Sequence, residues 1–215
     1  MTYLNLVNNV LRRLRETEVS TVYFTNYSTM AADFVNDAKN LVENSWDWSN
    51  LRTTLTINTV ASDYTYSLTG SKDQGKVLSL INDTSNIVMQ YQTRDWFDNK
   101  YFIQTPTSGS PEYFTYSGID GNDDTQIDVY PKPDAVYTLK AKMVLRNISL
   151  SNDADTLVIP SQPVIHMAVA LLARERGETG GTSTVEYFSI ADKYLSDAIA
   201  LDAQKHPEET IFYTP

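Results

Sequence analysis

Glu43-Asn-Ser-Trp-Asp-Trp-Ser-Asn-Leu-Arg-Thr-Thr-Leu-Thr-Ile-Asn58 holds the change of period on which the fold turns. Upstream, apolar residues return every three or four positions, the spacing of a helix with one buried face. Downstream, Leu55, Ile57 and Thr59 alternate with Thr54, Thr56 and Asn58, the period of a strand with one buried side. Two large aromatics, Trp46 and Trp48, stand at the crossing point. Aromatics at a helix end anchor that end against whatever follows, so the pair is expected to lock the helix end to the neighbouring domain rather than stack on a ligand.

Working back toward the amino terminus, the spacing predicts a helix over Ser28–Trp46, with Ser28 or Thr29 as N-cap and Phe34, Ala38, Leu41 and Ser45 on one face. A first helix is predicted over Thr2–Arg15 on the stripe Leu4, Val7, Leu11 and Leu14. Between them, Thr17–Tyr27 loses the helical period and reads as a connection or a short strand. Working forward, Tyr64, Tyr66 and Leu68 share a face. Val77–Ile81 and Ile87–Tyr91 flank the polar turn Asn82–Asn86, a hairpin signal. Thr93 caps a short helix over Thr93–Tyr101, and Thr105–Pro111 is a loop by its Gly, Pro and Ser content. Glu112–Ser117 and Thr125–Tyr130 are strands joined by Gly118–Asp124. The turn Pro131–Asp134 leads to the strand Tyr137–Arg146, with Leu139, Ala141, Met143 and Leu145 on one face.

Helical spacing returns after Ile159. Ser161 reads as the cap of a third long helix with Pro163 in its first turn, where a missing N–H costs nothing. Ile165, Ala168, Val169 and Leu172 form its stripe and Gly177 stops it. Ser183-Thr-Val-Glu186 has the form of a capping box for a last helix. The apolar face of that helix is Tyr187, Ile190, Ala191, Tyr194, Leu195 and Ala198, and His206-Pro207 ends it.

The expected fold is therefore α+β: a four-helix bundle formed by N- and C-terminal helices, with an inserted antiparallel β domain and an extended C-terminal tail. The expected boundaries are 1–50 and 157–204 for the bundle, 51–156 for the β domain and 205–215 for the tail.

Composition narrows the function. The chain has 215 residues, no cysteine and a formal net charge of -10. Without cysteine there is no disulfide framework, thiolate nucleophile or Cys-ligated zinc. No apolar run is long enough to span a bilayer. In Met1–Arg15 the charges follow the apolar residues, so the start does not read as a secretion signal, and the expected setting is a bacterial cytoplasm or a particle assembled there. No basic run offers the phosphate neutralisation on which sequence-independent DNA binding depends. An acidic surface keeps a protein soluble, and it also suits a channel wall past which DNA slides without sticking.

Little points to catalysis. His166 lies among apolar residues of a helix and reads as a satisfied core or edge histidine, and His206 lies beyond the last helix. They form no metal-binding pair, and no serine-hydrolase or phosphate-loop motif occurs. Asp120-Gly-Asn-Asp-Asp124 has the glycine in the wrong place for a calcium loop and reads as a hairpin turn. A pair of glycosidase carboxylates drawn from distant parts of the chain leaves no local pattern, and nothing singles one out. Asn26-Tyr-Ser28, Asn82-Asp-Thr84 and Asn147-Ile-Ser149 match a glycosylation triplet that has no meaning without secretion. No catalytic, cofactor-binding or metal residue is assigned, and no cofactor is expected.

Three stretches together resemble a known family: Asp33-Phe-Val35 through Trp46 into Leu51–Asn58; Ile127-Asp-Val-Tyr-Pro-Lys-Pro133 ahead of Tyr137–Leu145; and Leu157-Val-Ile-Pro160 leading into Ala168–Gly177 and then Glu186–Ala203. Their order is similar to that of the head-to-tail adaptors of short-tailed bacteriophages, also called tail tubular protein A or connector proteins. The resemblance implies a structural, non-enzymatic protein that forms a twelve-fold ring under the portal. It implies as partners the chain itself, the portal protein, a tail nozzle protein, and DNA passing through without specific binding, with no membrane involved. It places the carboxyl-terminal segment in the portal, which on this chain points to Lys205, His206, Ile211, Phe212, Tyr213 and Pro215. It gives the nozzle side to β-domain loops, here Ser71, Lys72, Asp73, Thr107 and Ser108. A neck protein of a long-tailed phage is a close variant. The alternative of another class is a carbohydrate-binding tail or adhesin module using the β-domain aromatics, which otherwise read as β core and subunit interface.

Overall fold

The structure is a computed structural model and describes residues 1–72, 75–177 and 182–206. The chain forms two units: Met1–Leu51 with Asn147–Pro215, and Arg52–Arg146.

The first unit carries α1 (Tyr3–Arg13), α2 (Asn26–Ser45), α4 (Ser161–Glu175) and α5 (Thr182–Ala203). The amino- and carboxyl-terminal helices pack together as expected, with α4 at the hub touching α1, α2 and α5. Ten of the 15 residues of α4 are buried, from Pro163 to Ala173, so its apolar residues run round the helix rather than along one stripe. Gly177, at φ 74, gives the left-handed stop that ends it.

Caps and faces differ in detail from the sequence reading. Thr25, not Ser28 or Thr29, caps α2. Its hydroxyl accepts from the Ser28 N–H, and the Ser28 hydroxyl accepts from the Thr25 N–H. The buried line of α2 is Ala31, Ala32, Val35, Ala38 and Val42, while Leu41 is half exposed. Pro160 precedes α4 without a side-chain cap, because Ser161 is already helical. Ser183 lies inside α5 rather than before it. The stretch read as Thr17–Tyr27 is a connection up to the Thr25 cap, its last two residues already helical, and it is pinned by Asn8: its amide donates to the Val19 carbonyl and its oxygen accepts from the Val19 N–H.

Residues 147–156, expected with the strands, belong to the helical unit. Asn36 holds Leu150 through both backbone groups, Asp153 accepts from the Val22 N–H, and the Asp155 carbonyl accepts from the Tyr3 N–H. Beside them Lys39 and Glu43, each side chain only 1% exposed, form a buried ion pair at 3.1 Å, and the Lys39 ammonium also donates to the Asn147 carbonyl.

The second unit is a seven-stranded, nearly closed, barrel-like sheet in the order β1-β7-β3-β4-β5-β6-β2. Its strands are β1 (Arg52–Asn58), β2 (Thr65–Ser67), β3 (Lys76–Asn82), β4 (Ile87–Tyr91), β5 (Tyr113–Ile119), β6 (Thr125–Tyr130) and β7 (Thr138–Val144). The expected hairpin β3–β4 forms, with Leu80 opposite Met89. Leu139, Ala141 and Met143 point inward, with Leu68, Leu80, Met89, Ile127 and Val129 in the same core. One expectation is corrected: the sheet is mixed, not antiparallel, because β4 and β5 pair in parallel, Gln90 opposite Tyr113. The link between them carries the short helix α3 (Arg94–Asp98), capped by Thr93 as expected and continued by a π-helical turn over Asn99–Ile103. A parallel pair needs such a crossover, because its strands run the same way. Gly75 sits where an added Cβ would fall 2.7 Å from the Ser71 carbonyl and 2.8 Å from the Met143 terminal methyl, so the backbone passes there only without a side chain.

Candidate interaction surfaces

Of the carboxyl-terminal residues singled out in the sequence, Lys205 and His206 are described, whereas Ile211, Phe212, Tyr213 and Pro215 lie outside the described residues. Both described residues are tied to the end of α2. Asp202, in the last turn of α5 and 5% exposed, accepts from the Trp46 indole N–H at 3.2 Å, from the Ser49 backbone N–H at 2.9 Å and from the Lys205 ammonium at 2.9 Å. His206 Nε2 lies 3.0 Å from the Ser49 hydroxyl. Burial pushes the Asp202 carboxyl up, but the Ser49 backbone N–H and Lys205 outweigh it and hold the group below the usual carboxylate range. Trp48 is buried and donates to the Val42 carbonyl at 2.8 Å. The indole N–H groups of both tryptophans thus bond within the helical unit.

Asp202 was not foreseen. One signal was present: Asp202 and Lys205 stand three apart, a helical neighbour spacing. The partners that decide its role, Trp46 and Ser49, lie more than 150 positions away.

Helix α5 leaves much of its apolar surface uncovered. Among its described side chains only Ala191 and Asp202 are buried, whereas Ile190, Tyr194 and Leu201 are exposed at 43%, 41% and 65%. They lie on one side of the helix, next to the line that meets α4. His166 stacks on Tyr194 with ring centroids 4.3 Å apart, an edge histidine as expected. Burial, then the positive field of Arg13, lowers its basicity. A cleft of about 300 Å³ near the end of α1, lined by Leu11, Val19, Phe24 and Tyr27 with Glu16 and Glu18, adds a second uncovered apolar feature.

In the β unit the two candidate loops do not come together. Ser71 is buried and its hydroxyl accepts from the Thr125 N–H at 2.9 Å. Asp124, also buried, accepts from the Gly70 and Lys72 N–H groups, and Lys72 reaches the Asn122 carbonyl. Asp73 lies outside the described residues. This loop is thus fastened to the start of β6. Thr107 and Ser108 are exposed at the other end of β6: Thr107 donates to the Tyr130 hydroxyl at 2.8 Å, and its carbonyl accepts from the Lys132 N–H. Six residues of strand separate the two, roughly 20 Å. Among the described candidates Lys72, Thr107 and Ser108 are exposed, and only the last two lie clear of the Asp124 fastening. Near them in sequence, Phe102 and Ile103 are 69% and 80% exposed, an apolar pair that alternation could not flag because it lies in a helical turn.

Asp120-Gly-Asn-Asp-Asp124 makes the hairpin turn expected of it. The Asp120 carboxylate accepts from the Asn122 and Asp124 N–H groups, the bonds to Asp124 and Asn122 holding it below its ordinary range. The aromatics of the β unit mostly meet one another. Tyr64 stacks on Tyr101 at 4.3 Å, Trp96 meets Tyr130 edge-on at 5.3 Å, and the Tyr101 hydroxyl donates to the Val129 carbonyl. Among the described residues no group of acidic or histidine side chains has the arrangement of a metal site, and no helix is long and apolar enough to cross a membrane.

What these surfaces offer is attachment: a chain end leaving from a fixed anchor, a helix with apolar side chains to spare, and an exposed apolar pair at one rim of a sheet. No curated protein matches the chain. The model of one family, described as SU10 adaptor protein, matches residues 1–208. With that match covering both units, the chain belongs to the SU10 adaptor protein family and is a phage head–tail adaptor.

Proposed function

We propose that the protein is the ring subunit that joins a phage portal to the tail nozzle and forms part of the channel through which DNA leaves. The ring is twelve-fold, assembled in the host cytoplasm, and works without cofactor or catalysis. Within it, each subunit meets its neighbours through two different patches, as a closed head-to-tail ring requires. The uncovered apolar residues of α5 supply one such patch. Lys205–Pro215 enters the portal, with Ile211, Phe212 and Tyr213 filling grooves between portal subunits. Thr107 and Ser108, with Phe102 and Ile103, face the nozzle. DNA passes an acidic wall without phosphate-binding traps.

The observation that carries this reading is the Asp202 anchor. It fixes where the terminal peptide departs, so a segment that orders on docking loses less freedom than one leaving from a frayed helix. Deleting Lys205–Pro215 tests it. The expected result is a folded protein, by circular dichroism and unfolding midpoint, that no longer binds portal in sedimentation. Undiminished portal affinity overturns the tail assignment.

A further inference from the structure

A head-to-tail contact needs a second patch on the same subunit, different from the one that α5 supplies. The make-up of the α5 side says what that patch must contain. Ile190, Tyr194, Asp197 and Leu201 follow one another at spacings of four, three and four, so a carboxylate stands inside the apolar stripe. All four residues are exposed, and among the described residues Asp197 has no ion-pair partner. A charge covered by an apolar surface is costly unless an opposite charge meets it there. Whatever covers this side of α5 therefore carries a cation among apolar groups.

The end of α1 has that composition. Its cleft is lined by Leu11, Val19, Phe24 and Tyr27, and the turn before α2 leaves Tyr23 and Phe24 55% and 67% exposed. A volume of about 300 Å³ is at the lower limit for a small-molecule site and suits the protruding side chains of a protein. Arg12, Arg13 and Arg15 stand there against Glu16 and Glu18, and α4 runs out beside them in Arg174-Glu-Arg176, with Arg176 donating to the Leu14 carbonyl. Most of these cations are taken. Arg12 pairs with Glu18 at 3.2 Å, Arg176 pairs with Glu16, and Arg13 donates to Asn9. Arg15 differs. It follows the α1 cap Leu14 in the left-handed region at φ 59, it is exposed, and its side chain has no partner among the described residues.

The charges argue for a second copy of this chain as the occupant. At a net charge of -10, two copies repel in most approaches, so their contact must be a local exception. The α1 end is positive on balance, whereas the exposed residues of α5 set Glu186, Asp192 and Asp197 against Lys193. No residue of α5 lines the cleft, so one subunit can offer both patches at once, one to each neighbour. We propose that α5 of one copy packs on the α1 end of the next, with Asp197 against Arg15 and the apolar stripe against Phe24 and the cleft. The inference rests on the ring reading above and supplies the other half of its contact.

The chain has no cysteine, so introduced thiols report without background from its own residues. Asp197→Cys and Arg15→Cys, purified separately, are mixed, assembled on portal and treated with a short bismaleimide. The expected result is a covalent adaptor pair in the mixture that neither variant gives by itself. A ring on portal without that pair overturns the contact and leaves the ring standing. A pair from Asp197→Cys alone sets α5 against α5, one from Arg15→Cys alone sets α1 against α1, and either overturns the proposal. A wild-type chain that forms no multimer on portal overturns the ring and this inference with it. Charge reversal gives a second readout. Asp197→Arg and Arg15→Asp are each expected to weaken assembly in sedimentation at least about tenfold with the unfolding midpoint unchanged, and the two combined in one chain to restore it. Undiminished assembly of either single variant, or no recovery in the combination, overturns the pairing.

Discussion

Helices α4 and α5 are neighbours in sequence and in space, and both are rich in apolar residues, yet the fold uses them in opposite ways. α4 is covered on nearly every side by α1, α2 and α5, whereas α5 meets α4 along one line and leaves Ile190, Tyr194 and Leu201 in solvent. Burying a large apolar side chain stabilises by about 1.5–3 kcal/mol. α4 therefore contributes heavily to folding, and the spare surface of α5 contributes only when something else arrives. The contrast separates residues that hold the subunit together from residues left over for the subunit contacts proposed above.

The comparison can be broken at its strong end. Leu172→Ala, deep in α4, is expected to cost about 2–5 kcal/mol in chemical denaturation, since the cavity cannot fill from outside. A loss below 1 kcal/mol, on that same scale, would mean that α4 is not the hub. The Asp202 anchor comes next. Asp202→Asn is expected to cost about 1–3 kcal/mol at neutral pH, because three donors lose a charged acceptor. The folded carboxyl lies below its unfolded value, so its contribution is present above about pH 3.9 and is lost as pH falls through the folded value. The gap between wild type and variant should close as unfolding is followed from pH 6 downward. A gap constant down to pH 2 would show that packing, not charge, fastens α5. At the weak end, Leu201→Ser is expected to change subunit stability by less than about 0.5 kcal/mol while weakening ring assembly in sedimentation. A large loss of subunit stability would place Leu201 in the core after all.

Much of the β unit was legible because alternation is a direct image of a two-sided sheet: Leu139, Ala141 and Met143 read as one face and form one face. The parallel pairing of β4 with β5 was missed, although the helix read over Thr93–Tyr101 was itself the sign that the chain could cross over and return in the same direction. On α2 the reading followed bulk and chose Phe34 and Leu41. Ala38, also read there, is buried, but the rest of the close-packed face is Ala31, Ala32, Val35 and Val42, and it admits Lys39 and Glu43 because they satisfy each other and the Asn147 carbonyl. A charged pair in a core leaves no trace in an apolar pattern. The candidate site was legible only as a region. The tail was marked by its composition, but the carboxylate that anchors it acts through Trp46 and Ser49, a pairing that only the folded chain reveals.

One consequence of that carboxylate concerns force. Asp202 and His206 both fasten the end of α5 to the stretch Trp46–Ser49, and Ser49 stands three residues ahead of the first residue of β1. Tension drawn along the carboxyl end is delivered first to Ser49 and Trp46, not spread along the turns of α5. Traction at one extremity of the polypeptide thus loads a cluster of polar bonds before it reaches the inner turns of the helix.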